Sequence, residues 1–249
     1  MTDWTKHLSD PNSTFGADSP APKVVPSNTV AQVHGIANVP KKDLTVLANA
    51  AKTLGIPTDW LATVMAFESG GTFSPSVLNK AGSGAFGLIQ FMPSTAAHLL
   101  GYPDTTDGRN QAVAVGKAMS FKDQVEKMVI PYLKPHMPFK DLNSVYLAIF
   151  YPAAAPHDDS YVVGTAPGAV YTQNKGFDKE GKGYITRADI TSTINSVLNS
   201  ALNLPRLTVS ATGMGQILAG LVISGGLGYY FYKNGFEHPF KNFSLKSFI

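Results

Sequence analysis

The residues of this sequence that could do chemistry sit in two glycine-punctuated segments. The first is Ala66-Phe67-Glu68-Ser69-Gly70-Gly71, where a carboxylate ends an apolar helical run and two glycines break the helix behind it. The second is Gly84-Ala85-Phe86-Gly87-Leu88-Ile89-Gln90-Phe91-Met92-Pro93, which brings in an amide and a proline. A carboxylate in the last turn of a helix faces the negative end of the helix dipole. Burial among apolar neighbours disfavours its charge as well, so both effects raise the pKa of Glu68. A carboxyl group that keeps its proton near neutrality is suited to general acid work.

Cleavage of a glycosidic bond usually takes two carboxylates at a set separation. The other acids of the helical region are Asp59, Asp104, Asp107, Asp123, Glu126, Asp141, Asp158 and Asp159, and none has the flanks of Glu68. A single buried glutamate suffices when the second nucleophile belongs to the substrate. In peptidoglycan the C6 hydroxyl of the muramyl sugar can attack its own anomeric carbon. Glu68 would protonate the leaving oxygen and then, as a carboxylate, take the proton of that hydroxyl, which gives a 1,6-anhydro sugar.

Helices must position these segments. From Lys41 the apolar residues Leu44, Leu47, Ala48, Ala51 and Leu54 share a helical face behind a cap at Asp43, and Gly55 ends the run. Thr58 or Asp59 caps the next helix, with Trp60, Val64 and Phe67 as its buried stripe. Pro93 opens a short helix that Gly101 closes. Ser120 with Asp123 resembles a capping box for a helix ended by Pro131, and Asp141 or Asn143 caps a helix stopped by Pro152. No period-two run is long enough to build a sheet.

The flanks differ in texture. Residues 1–40 are rich in Pro, Ser, Asn and Thr without apolar period, which suits an extended arm. Asp178 to Asp189 has the layout of an EF-hand loop, whose calcium positions would be Asp178, Glu180, Lys182, Tyr184 and Asp189. Lys182 puts a cation where an oxygen ligand belongs, and Asp189 is shorter than the usual glutamate. The loop therefore reads as metal-free, with Lys182 supplying the charge. Leu207 to Tyr232 holds no charged residue, and Gly220, Ser224 and Gly228 recur at helical spacing, as in a membrane-spanning helix. Arg206 on one flank and Lys233, Lys241 and Lys246 on the other would keep the C-terminus cytoplasmic.

Composition narrows the function classes. A net charge of +3 without a dense Lys/Arg stripe gives no footprint for direct nucleic-acid recognition. Zero cysteines exclude a disulfide framework and thiolate metal sites. No secretory signal is visible in Met1 to His7. With 15% charged residues, 23 glycines and 17 prolines, the surface is that of a chain covered by neighbours in an assembly.

Glu68-Ser69, Phe73-Ser74-Pro75 and Gly84 through Ala96 together resemble the soluble-lytic-transglycosylase-like domain of the lysozyme superfamily. The resemblance implies Glu68 as acid/base, Ser69 and Gln90 as groups orienting Glu68 or the sugar, and Phe91 and Met92 as cleft wall. The longer spacing between the motifs, with Glu126 to Tyr132, Tyr146 to Ala154 and Tyr171 to Asp178, resembles the variant carried by bacteriophage proteins. Bacterial members have a later Ala-Tyr-Asn-Ala-Gly segment; here Ala148 to Ala153 lacks the Asn, so Tyr146 or Tyr151 would face the sugar.

The expectation is a mainly α chain: an arm at 1–40, a lysozyme-like catalytic domain at 41–165, an EF-hand-like helix-loop-helix at 166–204, and a C-terminal hydrophobic helix with a short tail at 205–249. The expected function is a virion-associated lytic transglycosylase that opens the host cell wall during genome entry; the alternatives are a hydrolytic muramidase and a catalytically idle structural or membrane-penetrating virion protein. Peptidoglycan, other virion proteins and the membrane are its partners, and no cofactor is needed unless the loop takes calcium.

Overall fold

A computed structural model describes residues 29–80 and 82–209. The expected arm up to residue 28 and nearly all of the expected membrane helix lie outside the described residues. Among those described, no helix is long and apolar enough to cross a membrane.

The body is mainly helical, as expected. In chain order it comprises β1 (Thr29–Val30), α1 (Lys41–Thr53), α2 (Thr58–Glu68), α3 (Pro93–Leu100), α4 (Thr106–Ala118), α5 (Phe121–Gln124), α6 (Ile130–Leu133) and α7 (Leu142–Phe150). Then come β2 (Val162–Thr165), α8 (Ala169–Asn174), β3 (Tyr184–Thr186), α9 (Arg187–Leu202) and β4 (Leu207–Thr208). Two short antiparallel ladders accompany the helices, β1 with β4 and β2 with β3.

The centre is α2. Leu61, Ala62, Thr63, Val64 and Met65 are all 0% exposed, so this helix is covered on every side and not only along one stripe. It packs against α1, α7 and α9. Trp60, expected in the buried stripe, is only half-buried. The helix starts differ from the caps read in the sequence. Both α1 and α2 follow a proline, Pro40 and Pro57, whose fixed φ leads the chain into the first turn. Asp59 does not cap its own helix; it accepts from the Ala31 amide at 2.8 Å. The capping residues Ser120 and Asp141 do act as expected, accepting from the amides of Asp123 and Ser144.

Pro131 does not end its helix. The chain runs from α5 through a wider π turn at Val125–Val129 into α6, where Pro131 occupies the first turn. The wider turn before it accommodates a residue that lacks an N–H.

The piece expected to be a separate arm is partly core. Val30 and Ala31 are fully buried, and Val33, Ile36 and Val39 nearly so. The reason is a close backbone approach. A side chain at Gly35 would put its Cβ 1.8 Å from the carbonyl oxygen of Gly71, and Asn38 Nδ2 donates to that same oxygen at 2.8 Å. Residues 34–38 therefore fasten the turn behind Glu68.

The far end of the chain closes on the same helix. Leu207 and Thr208, expected to begin an apolar helix, form β4 and pair with Val30 and Thr29. Arg206, expected to flank a membrane, makes a bidentate pair with Asp59: Nη2 to Oδ1 at 2.7 Å and Nη1 to Oδ2 at 2.9 Å. Its Nε donates to the Thr29 hydroxyl at 2.8 Å. The expected helix-loop-helix is also part of the body, since Ile190, Ile194, Val197 and Ala201 of α9 are buried against α2 and α7.

Replacing Arg206 with alanine leaves the Asp59 carboxylate, 4% exposed, without its counter-charge. The expected cost is about 3 kcal/mol, near the lower end for a broken buried pair because Arg206 is partly exposed. Urea unfolding of the full chain should show a lowered midpoint with an unchanged slope.

Candidate active site

Glu68 is the last residue of α2, and the turn behind it is clamped at each position. The amide of Ser69 donates to Met65 O at 2.9 Å and that of Gly71 to Ala66 O at 2.7 Å. Gly70 and Gly71 take φ of 60° and 76°, which lets the chain reverse within two residues. The Ser69 hydroxyl donates to Met65 O at 2.6 Å and accepts from the Phe73 amide at 3.0 Å. Ser69 is thus fully engaged with the backbone and does not reach the cavity.

The second motif is a tight loop. The amides and carbonyls of Phe86 and Phe91 bond reciprocally at 3.1 and 2.7 Å. Gln90 sits at its tip with φ 55°, a left-handed conformation that side chains other than glycine rarely adopt. Its Nε2 donates to Gly87 O at 3.2 Å. Such a conformation persists where the surroundings over-determine it, often at functional positions.

The loop that carries it is pinned by Gln124, fully buried at the end of α5. Its Oε1 accepts from the Leu88 amide at 2.8 Å, and its Nε2 donates to Pro75 O at 3.0 Å and Gly116 O at 2.9 Å. Gly87, with φ 82°, leaves room for it: a Cβ there would fall 2.5 Å from Gln124 Oε1. Sequence reading passed over Gln124 because it follows the polar run Ser120 to Asp123 and looks like a surface residue.

A cavity of about 380 Å³ opens between these segments and the end of α7. Glu68, Gln90, Phe91 and Met92 line it from one side, and Tyr132 and Ile149 to Ala153, including Tyr151, from the other. Asn79, Ser83 and Thr95 add polar groups. Of the residues singled out in the sequence, Glu68, Gln90, Phe91, Met92 and Tyr151 are therefore brought together. Ser69 and Tyr146 are not on the cavity surface; Tyr146 is 0% exposed. Sequence reasoning missed Asn79, Ser83, Thr95 and Tyr132 as lining residues. Of these, Tyr132 had a signal, since it closes the Glu126 to Tyr132 segment that carried the phage-type resemblance.

Glu68 is the one acidic side chain among the described residues lining the cavity. It is 1% exposed, and neither carboxyl oxygen has a hydrogen-bond partner of good geometry. Burial pushes its pKa well above the usual carboxylate range, and the nearby Tyr146 hydroxyl acts against that rise. Tyr132 lies close enough that burial first, and then the Glu68 charge, hold its phenol above its ordinary pKa. The arrangement can deliver a proton to an oxygen in the cavity and afterwards accept one back.

The other candidate site is the loop from Asp178 to Asp189. Lys182 Nζ lies 2.7 and 2.9 Å from the two Asp189 oxygens, and Asp189 Oδ2 also accepts from the Thr186 amide and hydroxyl. Asp178 accepts from the amides of Lys182 and Gly183 and from the Tyr171 hydroxyl. Glu180 is exposed, and the Tyr184 ring lies 5.1 Å from the Lys182 ammonium. Among the described residues no group of three or more His, Asp or Glu side chains is placed to hold a metal ion.

Residues 45–119 match the family model of the transglycosylase SLT domain. Over that stretch the chain is similar to an SLT domain. The matched stretch contains Glu68 and the whole loop carrying Gln90, whereas Tyr132, Tyr146 and Tyr151 lie beyond it. That similarity supports peptidoglycan lytic transglycosylase activity, with peptidoglycan as substrate. No curated protein matches the sequence.

Two outcomes follow from this geometry. Gly87→Ala drives a Cβ into Gln124 and asks alanine for φ 82°, so the Gln90 loop should shift. Turnover of soluble peptidoglycan fragments should fall about 100-fold, the scale of a 1 Å misplacement. The second concerns stability. Because the folded-state pKa of Glu68 is raised, its ionisation favours the unfolded chain. The penalty is absent below the unfolded glutamate value of about 4.3 and complete once pH passes the folded-state value. Glu68→Gln, which cannot ionise, should therefore gain stability relative to the parent as pH rises, with the two converging in acid. Thermal unfolding from pH 4 to pH 8 measures it.

Proposed function

We propose that this chain is a virion-associated lytic transglycosylase that cleaves the MurNAc–GlcNAc β-1,4 bond of peptidoglycan and opens the cell wall locally for phage genome entry. The observation that carries the chemical part is the solitary, buried Glu68 on a cavity, within the stretch that matches the SLT domain model. A bond cleavage with one protein carboxylate needs its second nucleophile from elsewhere, and the C6 hydroxyl of the muramyl sugar provides it.

The step balances without water. Glu68 gives its proton to the glycosidic oxygen as the C1–O bond breaks. The C6 hydroxyl oxygen bonds to C1, and its proton returns to the Glu68 carboxylate. The enzyme ends as it began, and the product carries a 1,6-anhydro ring. The raised pKa of Glu68 supports the first half, since burial favours its protonated form.

The delivery part rests on sequence. The phage-type spacing and segments support a particle-borne enzyme, and the uncharged stretch up to Tyr232 supports membrane attachment.

Purified full-length chain should release anhydro-muropeptides from isolated cell wall, identified by mass spectrometry. Products one water heavier, with reducing ends, would instead mark a hydrolytic muramidase. Glu68→Gln should lose at least about 100-fold in activity, the usual contribution of a positioned acid/base. Full activity in that variant would sink both enzymatic readings. Detection of the chain in purified particles tests the virion assignment. Loss of vesicle binding on deleting residues 210–249 tests the membrane one.

A further inference from the structure

We propose that Tyr146 is a positioning residue for Glu68: its hydroxyl, held beneath the cavity, donates to the carboxylate that exists between the two proton transfers. This rests on the reading of Glu68 as acid and then base.

Tyr146 is immobilised from two sides. Its ring meets Phe67 edge-on, with centroids 5.3 Å apart at 88°, and stacks on Phe150 at 5.7 Å and 6°. Phe67 precedes Glu68 in α2, so the ring is registered to the same helix turn that carries the acid. The hydroxyl is buried and has no hydrogen-bond partner of good geometry, and the same holds for both Glu68 oxygens. Buried polar groups are rarely left so, and two lying within each other's influence form a pair in waiting.

The neighbouring donors are engaged elsewhere. Ser69 Oγ donates to Met65 O, Gln90 Nε2 to Gly87 O, and Tyr132 Oη to Ala148 O at 3.2 Å. Among the described residues the titratable groups that face Glu68 or share its cavity are Tyr132 from α6, Tyr146 from α7 and Tyr151 just beyond α7; Glu68 is the only charged side chain lining the cavity. Asp59, with Arg206, belongs to the opposite end of α2.

The protonated acid needs little support in an apolar setting. The carboxylate left after proton donation is a buried charge, and one donated hydrogen bond lowers its cost. Tyr146 can supply it throughout, because burial first and then the Glu68 charge keep the phenol protonated. The sugar-facing role expected for Tyr146 thus gives way to one exerted through Glu68, while Tyr151 remains on the cavity wall.

The test is Tyr146→Phe, which keeps the ring and removes only the hydroxyl. The chain has four glutamates, Glu68, Glu126, Glu180 and Glu237, so carboxyl-¹³C glutamate labelling resolves each one by NMR. Glu68 is assigned by the signal missing in Glu68→Gln. The Glu68 titration should move to higher pH in Tyr146→Phe, while thermal stability stays level or rises. Turnover should fall about 10-fold at unchanged KM, and the alkaline limb of the rate profile should follow the NMR titration. A Glu68 titration that does not move overturns the proposal. Tyr151→Phe should raise KM and leave the titration in place; an equal shift there would make Tyr151 the donor and likewise overturn it. If the titration moves in Tyr146→Phe but Glu68→Gln is fully active, the pairing stands and the acid/base role of Glu68 falls.

Discussion

The constraint on which this structure depends is the burial of an ionisable carboxyl at the negative end of the central helix. Water would solvate Glu68 readily, and the dipole of α2 opposes its charge. Keeping it at 1% exposure requires a helix covered on all sides and a turn that reverses immediately afterwards. The rest of the body provides these two things. Helices α1, α7 and α9 cover α2, and residues 34–38 press on the Gly70-Gly71 turn so tightly that Gly35 has no room for a side chain.

Around that acid the cavity has two walls of different origin. One is the loop closed by Phe86 and Phe91 and pinned from below by Gln124. The other is the end of α7, where Tyr151 and Pro152 line the cavity. The SLT match stops at residue 119, before the second wall. Glu68 and the Gln90 loop lie within the matched stretch, and the wall formed by Tyr132 and Ile149 to Ala153 lies beyond it.

The acid and its loop were legible in the sequence because their signals are local. A glutamate with apolar residues before it and glycines after it, followed by a glycine-laced Gln-x-Met-Pro, is a pattern of neighbours along the chain. Helix content was legible for the same reason, through Pro93 with Gly101 and the caps at Ser120 and Asp141. What was not legible depends on contacts distant in sequence. Arg206 finds Asp59 across 147 positions, and nothing beside either residue announces it. Gln124 reaches Leu88, Pro75 and Gly116 from a stretch that reads as polar surface. Residues 29–40 have no apolar period because they form no long element; they are buried by backbone fit to Gly71. The EF-hand-like loop was half legible: the carboxylate spacing and the intruding Lys182 were visible, but that its ammonium sits on Asp189 was not.

The pairing of Thr29 with Thr208 has a mechanical side. The chain enters and leaves the body at one corner, through two residues on each strand. A load applied through both flanks would act on this ladder as on a zipper, opening one pair at a time, and would next meet the Arg206–Asp59 contact. Helix α2 lies behind both. The ladder and the ion pair thus form a fuse between whatever the flanks are attached to and the helix that holds Glu68.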